Sequence, residues 1–279
     1  MSEWFFLFPG QGSQTPGMGK DFYENSTPAR EALDEAESVL GPGFLEKLFD
    51  GTAEDLRDTR VAQTALVSVG VAISRHLAAS GVAPAGCAGH SVGEIAALVV
   101  AGSISFIDGL KLTRERARLM AEEAPPGTMA AVLGLDPAVI AASLPSSVVI
   151  AHFNGPSQTI ISGTLEGIEQ ARVTLKEAGA KRVLPLNVSG AFHSPLMAPA
   201  ALKLALVIRE IDFKTPAIPF VSSVSGTFET DAERIGELLG RQVSGPVQWT
   251  KVMEMIGKRS CLEVGPGTVL QGLAKRMPG

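Results

Sequence analysis

A two-part α/β fold is predicted from three features of the 279-residue sequence. Short apolar strands alternate with longer helical patterns along most of the chain, the mark of a sheet covered by helices. Pro125-Pro126-Gly127 interrupts that pattern. Beyond it the units shorten and follow the order β-α-β-β-α-β, the ferredoxin-like arrangement. The large domain is therefore expected at 1–126 and 190–279, with the small domain inserted at 127–189.

The first strand is Trp4 to Phe8, an apolar run ended by Pro9-Gly10. A Gly-rich loop, Gly10 to Lys20, follows it. Helices are expected at Pro28 to Leu40 and at Val61 to Ser80, the second stopped by Gly81. A weak strand at Pro84 to Ala88 runs into a turn at Ser91. A helix of small residues, Ile95 to Ala101, comes next and is stopped by Gly102. Asp108 is the expected cap of the following helix, which runs to Glu123. In the small domain the strands are Met129 to Leu133, Val148 to Phe153, Gln158 to Gly163 and Arg182 to Pro185. Its helices are Pro137 to Leu144 and Leu165 to Glu177. The chain then returns through a helix at Pro199 to Ile211, a strand at Phe220 to Ser223 and a last strand at Ser260 to Val264.

Composition narrows the function. The net charge is −5 with no long basic run, which argues against a nucleic-acid partner. Two cysteines, Cys87 and Cys261, make neither a disulfide framework nor a thiolate metal site. They suit a reducing cytosol, so a cytoplasmic protein is expected. No segment approaches roughly twenty uninterrupted apolar residues, so no membrane span is expected. The Gly-rich loop is not a nucleotide cradle either. Gly10-Gln11-Gly12 lacks the third glycine of a dinucleotide fingerprint, and Met18 stands where a phosphate loop needs lysine. Neither a cofactor nor a metal is implied.

Gly89-His90-Ser91-Val92-Gly93 is the strongest chemical signal. Gly-x-Ser-x-Gly between a strand and a helix is the nucleophile-elbow pattern, which makes the large domain α/β-hydrolase-like. The glycines allow a sharp turn that thrusts the serine hydroxyl out of the backbone. The helix beyond it aims N–H groups at the place where negative charge develops in acyl transfer. Such a serine needs a base, and the chain has four histidines. His76 lies in a helix, His90 precedes the serine and should point away from it, and His152 lies in a strand of the small domain. His193 lies in a non-helical connection, the kind of segment that commonly carries catalytic groups, which favours it without excluding the others.

Arg116 stands apart from its neighbours. Arg114, Arg118 and Glu122 follow at i, i+4 and i+8, a solvated charge ladder. Arg116 instead shares its helix face with Leu112, Leu119 and Met120. A guanidinium there either snorkels to water or receives a ligand carboxylate in a two-pronged hydrogen bond.

Six ordered blocks carry a resemblance over nearly the whole chain. They are Phe8-Pro9-Gly10-Gln11-Gly12-Ser13-Gln14, Gly89 to Glu94, Arg116, Gly190-Ala191-Phe192-His193-Ser194-Pro195-Leu196-Met197, Pro246-Val247-Gln248-Trp249-Thr250 and Glu263-Val264-Gly265-Pro266-Gly267. Together they resemble the malonyl-CoA:acyl carrier protein transacylases and the acyltransferase domains of polyketide synthases. The resemblance implies that Ser91 takes a malonyl group from malonyl-CoA, with His193 as base. The pantetheine thiol of an acyl carrier protein then receives it, in fatty-acid or polyketide synthesis. It implies an oxyanion hole from the backbone N–H groups of Gln11 and Val92, and a pairing of Arg116 with the malonyl carboxylate. Phe192 would crowd out an α-methyl branch, and Met120 would line the site below the serine. Gln248 is the residue expected beside the substrate to hold the second histidine nitrogen through a backbone carbonyl. Members are often monomers, and Lys181-Arg182 and Lys275-Arg276 are candidate docking residues for an acidic carrier.

Three rivals compete with this reading. An ordinary serine thioesterase or hydrolase orders its triad Ser, Asp or Glu, then His, and leaves Arg116 without a role. The acyltransferase component of a malonate decarboxylase shares the same blocks. A catalytically inert carrier-docking scaffold would have no reason to keep an arginine on an apolar helix face.

Overall fold

The computed structural model describes residues 4–188 and 190–277, so Ser189, at the expected end of the small domain, lies outside the described residues. Eight strands occur among the described residues: β1 (Phe5–Phe8), β2 (Gly86–Gly89), β3 (Thr128–Leu133), β4 (Val148–Gly155), β5 (Gln158–Gly163), β6 (Arg182–Pro185), β7 (Phe220–Val221) and β8 (Cys261–Glu263). They form two sheets. One is parallel throughout and ordered β7-β2-β1-β8. Its central strands β1 and β2 are buried along their whole length, as expected where helices cover both faces. The other is antiparallel and ordered β4-β5-β3-β6, with helices Pro137–Ser143 and Leu165–Glu177 between its strands. This is the ferredoxin-like arrangement anticipated from element order.

The two sheets share one large apolar cluster, and each also has packing of its own. Phe6, Phe8, Ile95, Leu98, Leu110 and Leu119 belong to a large cluster between the parallel sheet and the helices on one face. Val132, Ile140, Ile161, Ile168 and Leu175 form the cluster of the antiparallel sheet. The helix Thr59–Ala79 is long and apolar enough to cross a membrane, but 13 of its residues are buried inside the fold. Its apolar content is thereby explained as core packing.

Among the departures from expectation, two bear on how the site is held. The helix Phe106–Glu122 is capped by Ser105, whose Oγ accepts the Asp108 N–H at 3.0 Å. Asp108 sits three residues inside and accepts the Ser105 hydroxyl at 2.6 Å, a reciprocal contact that makes either residue resemble a cap in sequence. The second detail concerns Pro246-Val247-Gln248-Trp249. Val247 pairs with the edge of β4, its N–H donating to Ala151 at 2.8 Å and its carbonyl accepting from Phe153 at 2.9 Å. This block fastens the antiparallel sheet to the rest of the fold.

Candidate active site

The site forms where β1 and β2 end side by side. Phe8 is in register with Gly89, so the loop after β1 and the turn after β2 leave the sheet together. The His90 N–H donates to the Phe8 carbonyl at 2.9 Å and locks the two connections. Side chains are excluded at this crossing. A Cβ on Gly93 would lie 2.2 Å from the Phe8 carbonyl oxygen, and one on Gly89 would lie 2.0 Å from the Gly93 backbone. The glycines of the serine motif are thus required by close backbone approach.

Ser91 adopts φ +50° and His193 φ +57°, the two left-handed non-glycine residues among those described. Such backbones cost of order 1–3 kcal/mol each and persist where surrounding contacts over-determine them. Here the two strained residues meet: Ser91 Oγ lies 2.7 Å from His193 Nε2. Helix Gly93–Val100 starts directly after the serine, with Val92 at its cap position. The N–H groups of Gln11 and Val92 have no acceptor among the described residues. Both residues line the cavity of about 240 Å³ that also contains Ser91, Arg116 and His193. Met120 and Phe192 line it too, both almost fully buried.

His193 is oriented by backbone. Its Nδ1 donates to the Gln242 carbonyl at 2.9 Å and is 3.2 Å from the Gly245 carbonyl. Gln248 does not supply this contact, contrary to expectation. Its N–H donates to the Ser223 carbonyl at 2.7 Å and it caps helix Trp249–Ile256. The reason is the extended pairing of Val247 with β4, which carries the chain past the histidine before Gln248 is reached. No carboxylate contacts His193 among the described residues, so the third member of an ordinary hydrolase triad is absent there. Burial, then the Arg116 charge, pushes the His193 pKa down to about 3, against the opposing pull of the two carbonyl contacts.

The other histidines make different contacts. His90 Nε2 meets Asn154 Oδ1 at 2.9 Å, and His90 and His152 line the same cavity as Ser91. His152 packs edge-on between His90 and His193, with ring centroids 4.9 and 4.8 Å apart. His76 lies in the helix Thr59–Ala79, where its Nδ1 contacts Ser26 Oγ at 2.9 Å.

Arg116 is 1% exposed, which rules out snorkelling. Its Nη1 donates to Gln63 Oε1, and its Nη2 donates to Gln242 Oε1 at 2.9 Å and to Ser91 Oγ at 3.1 Å. All three acceptors are neutral. Burial lowers its pKa to about 10, opposed by the charge of Glu94. Met120, one turn along the same helix, accepts from Gln63 Nε2 at 3.4 Å. Arg118 makes the surface ladder, reaching Glu122 at 2.7 Å and Glu115 at 3.0 Å.

Gln242 was not anticipated. It closes helix Ala232–Gln242, is 1% exposed, and contacts Ser91, Arg116 and His193. Asp231 followed by Ile235, Leu238 and Leu239 marks its helix in sequence, but nothing marks Gln242 itself.

A strained serine bonded to a histidine that is held by carbonyls, with a buried arginine beside the hydroxyl, matches a serine acyltransferase site. The chain belongs to the acyl transferase domain family, whose sequence model matches residues 5–276. The malonyl CoA-acyl carrier protein transacylase of Bacillus subtilis is 41% identical over 288 residues, covering 99% of this chain and 91% of the relative. That of Escherichia coli is 43% identical, with 99% and 93% covered. Among solved structures, an acyl carrier protein S-malonyltransferase from Vibrio cholerae matches with a TM-score of 0.94 at 41% identity, covering 99% of this chain and 94% of that one. A type II PKS acyl-carrier protein in complex with its malonyl-transacylase matches with a TM-score of 0.95 at 41% identity, with 99% and 93% covered.

Proposed function

We infer that the protein is a malonyl-CoA:acyl carrier protein transacylase of fatty-acid or polyketide synthesis. The observation that carries this is the placement of Ser91 Oγ, 2.7 Å from His193 Nε2 and 3.1 Å from a buried guanidinium. His193 takes the hydroxyl proton as Ser91 Oγ attacks the thioester carbonyl of malonyl-CoA. The developing oxyanion lies against the N–H groups of Gln11 and Val92. When the carbon–sulfur bond breaks, the CoA sulfur leaves with the proton from His193. The pantetheine thiol of the carrier then repeats the sequence in reverse, and Ser91 recovers its proton. Arg116 holds the malonyl carboxylate throughout, Phe192 leaves little room for a branch at the α-carbon, and Met120 lines the site below the serine.

We place the domain boundaries at 126/127 and 189/190. A monomer is the state we propose, on the resemblance to family members that are often monomers. The free thiols Cys87 and Cys261 suit a reducing cytoplasm. Intact-mass analysis tests the function: malonyl-CoA should add one malonyl group, and a phosphopantetheinylated acyl carrier protein should remove it. Hydrolysis of malonyl-CoA at the same rate without any carrier would instead indicate a thioesterase.

The histidine also sets a pH signature. A base is competent when neutral, and His193 is neutral above about pH 3. Acylation followed by rapid quench should therefore hold a flat rate from about pH 5 to 8, whereas an unshifted histidine would slow it below about 6.5. Stability moves the other way. With its folded pKa below the unfolded value, His193 contributes stability above about pH 6.5 that is lost as pH falls toward the folded value. An inflection in acylation rate near pH 6.5 would overturn the neutral-histidine assignment.

A further inference from the structure

Glu94 is a buried carboxylate that the acyl-transfer steps do not use. It lies in the first turn of helix Gly93–Val100 and is 2% exposed. Its Oε1 accepts the Ser223 N–H at 3.2 Å, and its Oε2 accepts the Ser223 hydroxyl at 2.6 Å. Oε2 also accepts from Gln242 Nε2. The same Nε2 donates to the Ser91 carbonyl at 3.1 Å, while Gln242 Oε1 accepts from Arg116 at 2.9 Å. One amide thus bridges a buried carboxyl and a buried cation; burial raises the Glu94 pKa, and the hydrogen bonds it accepts from Ser223 and Gln242 oppose this by favouring the carboxylate. Its orientation is fixed by the charges, because a flipped amide would face its NH2 toward the guanidinium and its oxygen toward the carboxylate.

An uncompensated buried charge is costly, so Arg116 and Glu94 each need the other's field. Direct contact would meet that need but would also consume the guanidinium. A ligand carboxylate would then have to displace a desolvated ion pair. Interposing a neutral amide keeps the long-range compensation and leaves only neutral acceptors on Arg116. We propose that Gln242 is a positioning residue that acts as a neutral spacer between Glu94 and Arg116, keeping the guanidinium available to the carboxylate of the incoming acyl group. The spacer also ties charge to geometry, since the residue that bridges the ions presents its main-chain carbonyl to His193 Nδ1. This inference rests on the malonyl reading of the acyl group.

Moving the carboxylate one link nearer the arginine tests it. The double variant Glu94→Gln/Gln242→Glu keeps atom count and net charge but gives Arg116 a direct carboxylate partner. Rates of adduct formation from malonyl-CoA and acetyl-CoA are read by intact mass, with thermal unfolding as the fold control. Wild-type protein should prefer malonyl-CoA; if it does not, the functional reading fails and not the spacer. The double variant should lose about a hundredfold of that preference. A wild-type preference retained in a folded double variant overturns the proposal. Glu94→Gln alone provides a second test should the double variant not fold. It loosens the amide without occupying Arg116, so both acylation rates should fall, by about tenfold. The malonyl-to-acetyl ratio should stay at or above wild type. A lowered ratio in this single variant would mean that Glu94 acts on selectivity directly, and would equally overturn the spacer role.

Discussion

Ser91→Ala protein exposed to malonyl-CoA should keep its unmodified mass, while the wild type should gain one malonyl group. The expected loss in transfer rate is on the order of a millionfold, the scale seen when a covalent nucleophile is deleted from a preorganised site. The variant isolates the chemistry because alanine meets the same backbone strain at φ +50° and leaves the glycine crossing beneath it intact. Nearby nucleophiles cannot substitute. The Ser194 hydroxyl is buried and donates to the Ala191 carbonyl at 2.6 Å. The Cys87 thiol is buried beneath the turn, and desolvation raises its pKa well above the ordinary thiol range. A malonyl adduct that survives Ser91→Ala would place the acyl group elsewhere and remove the basis for the mechanism.

The parts of this site that the sequence makes legible are those where local geometry dictates residue type. Gly89 and Gly93 are forced by backbone approach, and Arg116 by its place among Leu112, Leu119 and Met120 on one helix face. The strands and helices of the antiparallel sheet are legible for the same reason, since period and turn residues agree along that stretch. What escapes is long-range pairing. The carbonyl that orients His193 carries no side-chain signature, so Gln242 and Gly245 could not be told from Gln248 without the path of the chain. The role of Gln242 depends on contacts to Ser91 and Glu94, 151 and 148 residues away in sequence. Helices Lys20–Asn25 and Phe44–Asp50 escape for a local reason. Each begins at a left-handed glycine with no side-chain cap, so the usual start signal is missing.

Arg116→Ala tests the proposed partner of the substrate carboxylate. In the free protein Arg116 donates to Gln63, Gln242 and Ser91, and the last of these contacts brings the guanidinium to the atom proposed to carry the acyl group. A malonyl group on Ser91 places its free carboxylate a few bonds from that oxygen, within reach of the same nitrogen. Removing one partner of a buried charge pair typically costs about 3–5 kcal/mol, much of it the penalty of leaving the other charge unpaired. The preference for malonyl-CoA over acetyl-CoA should therefore collapse by roughly a thousandfold. Acetyl transfer should survive, because acetyl lacks the charge and Ser91 and His193 remain in place. Glu94 loses its compensating cation in this variant, so a lower melting temperature is also expected and must be measured beside the rates. Thermal destabilisation alone would depress both substrates together. Only a selective loss of malonyl transfer identifies the guanidinium as the carboxylate's partner, and equal losses for the two thioesters would assign Arg116 to support of the serine turn instead.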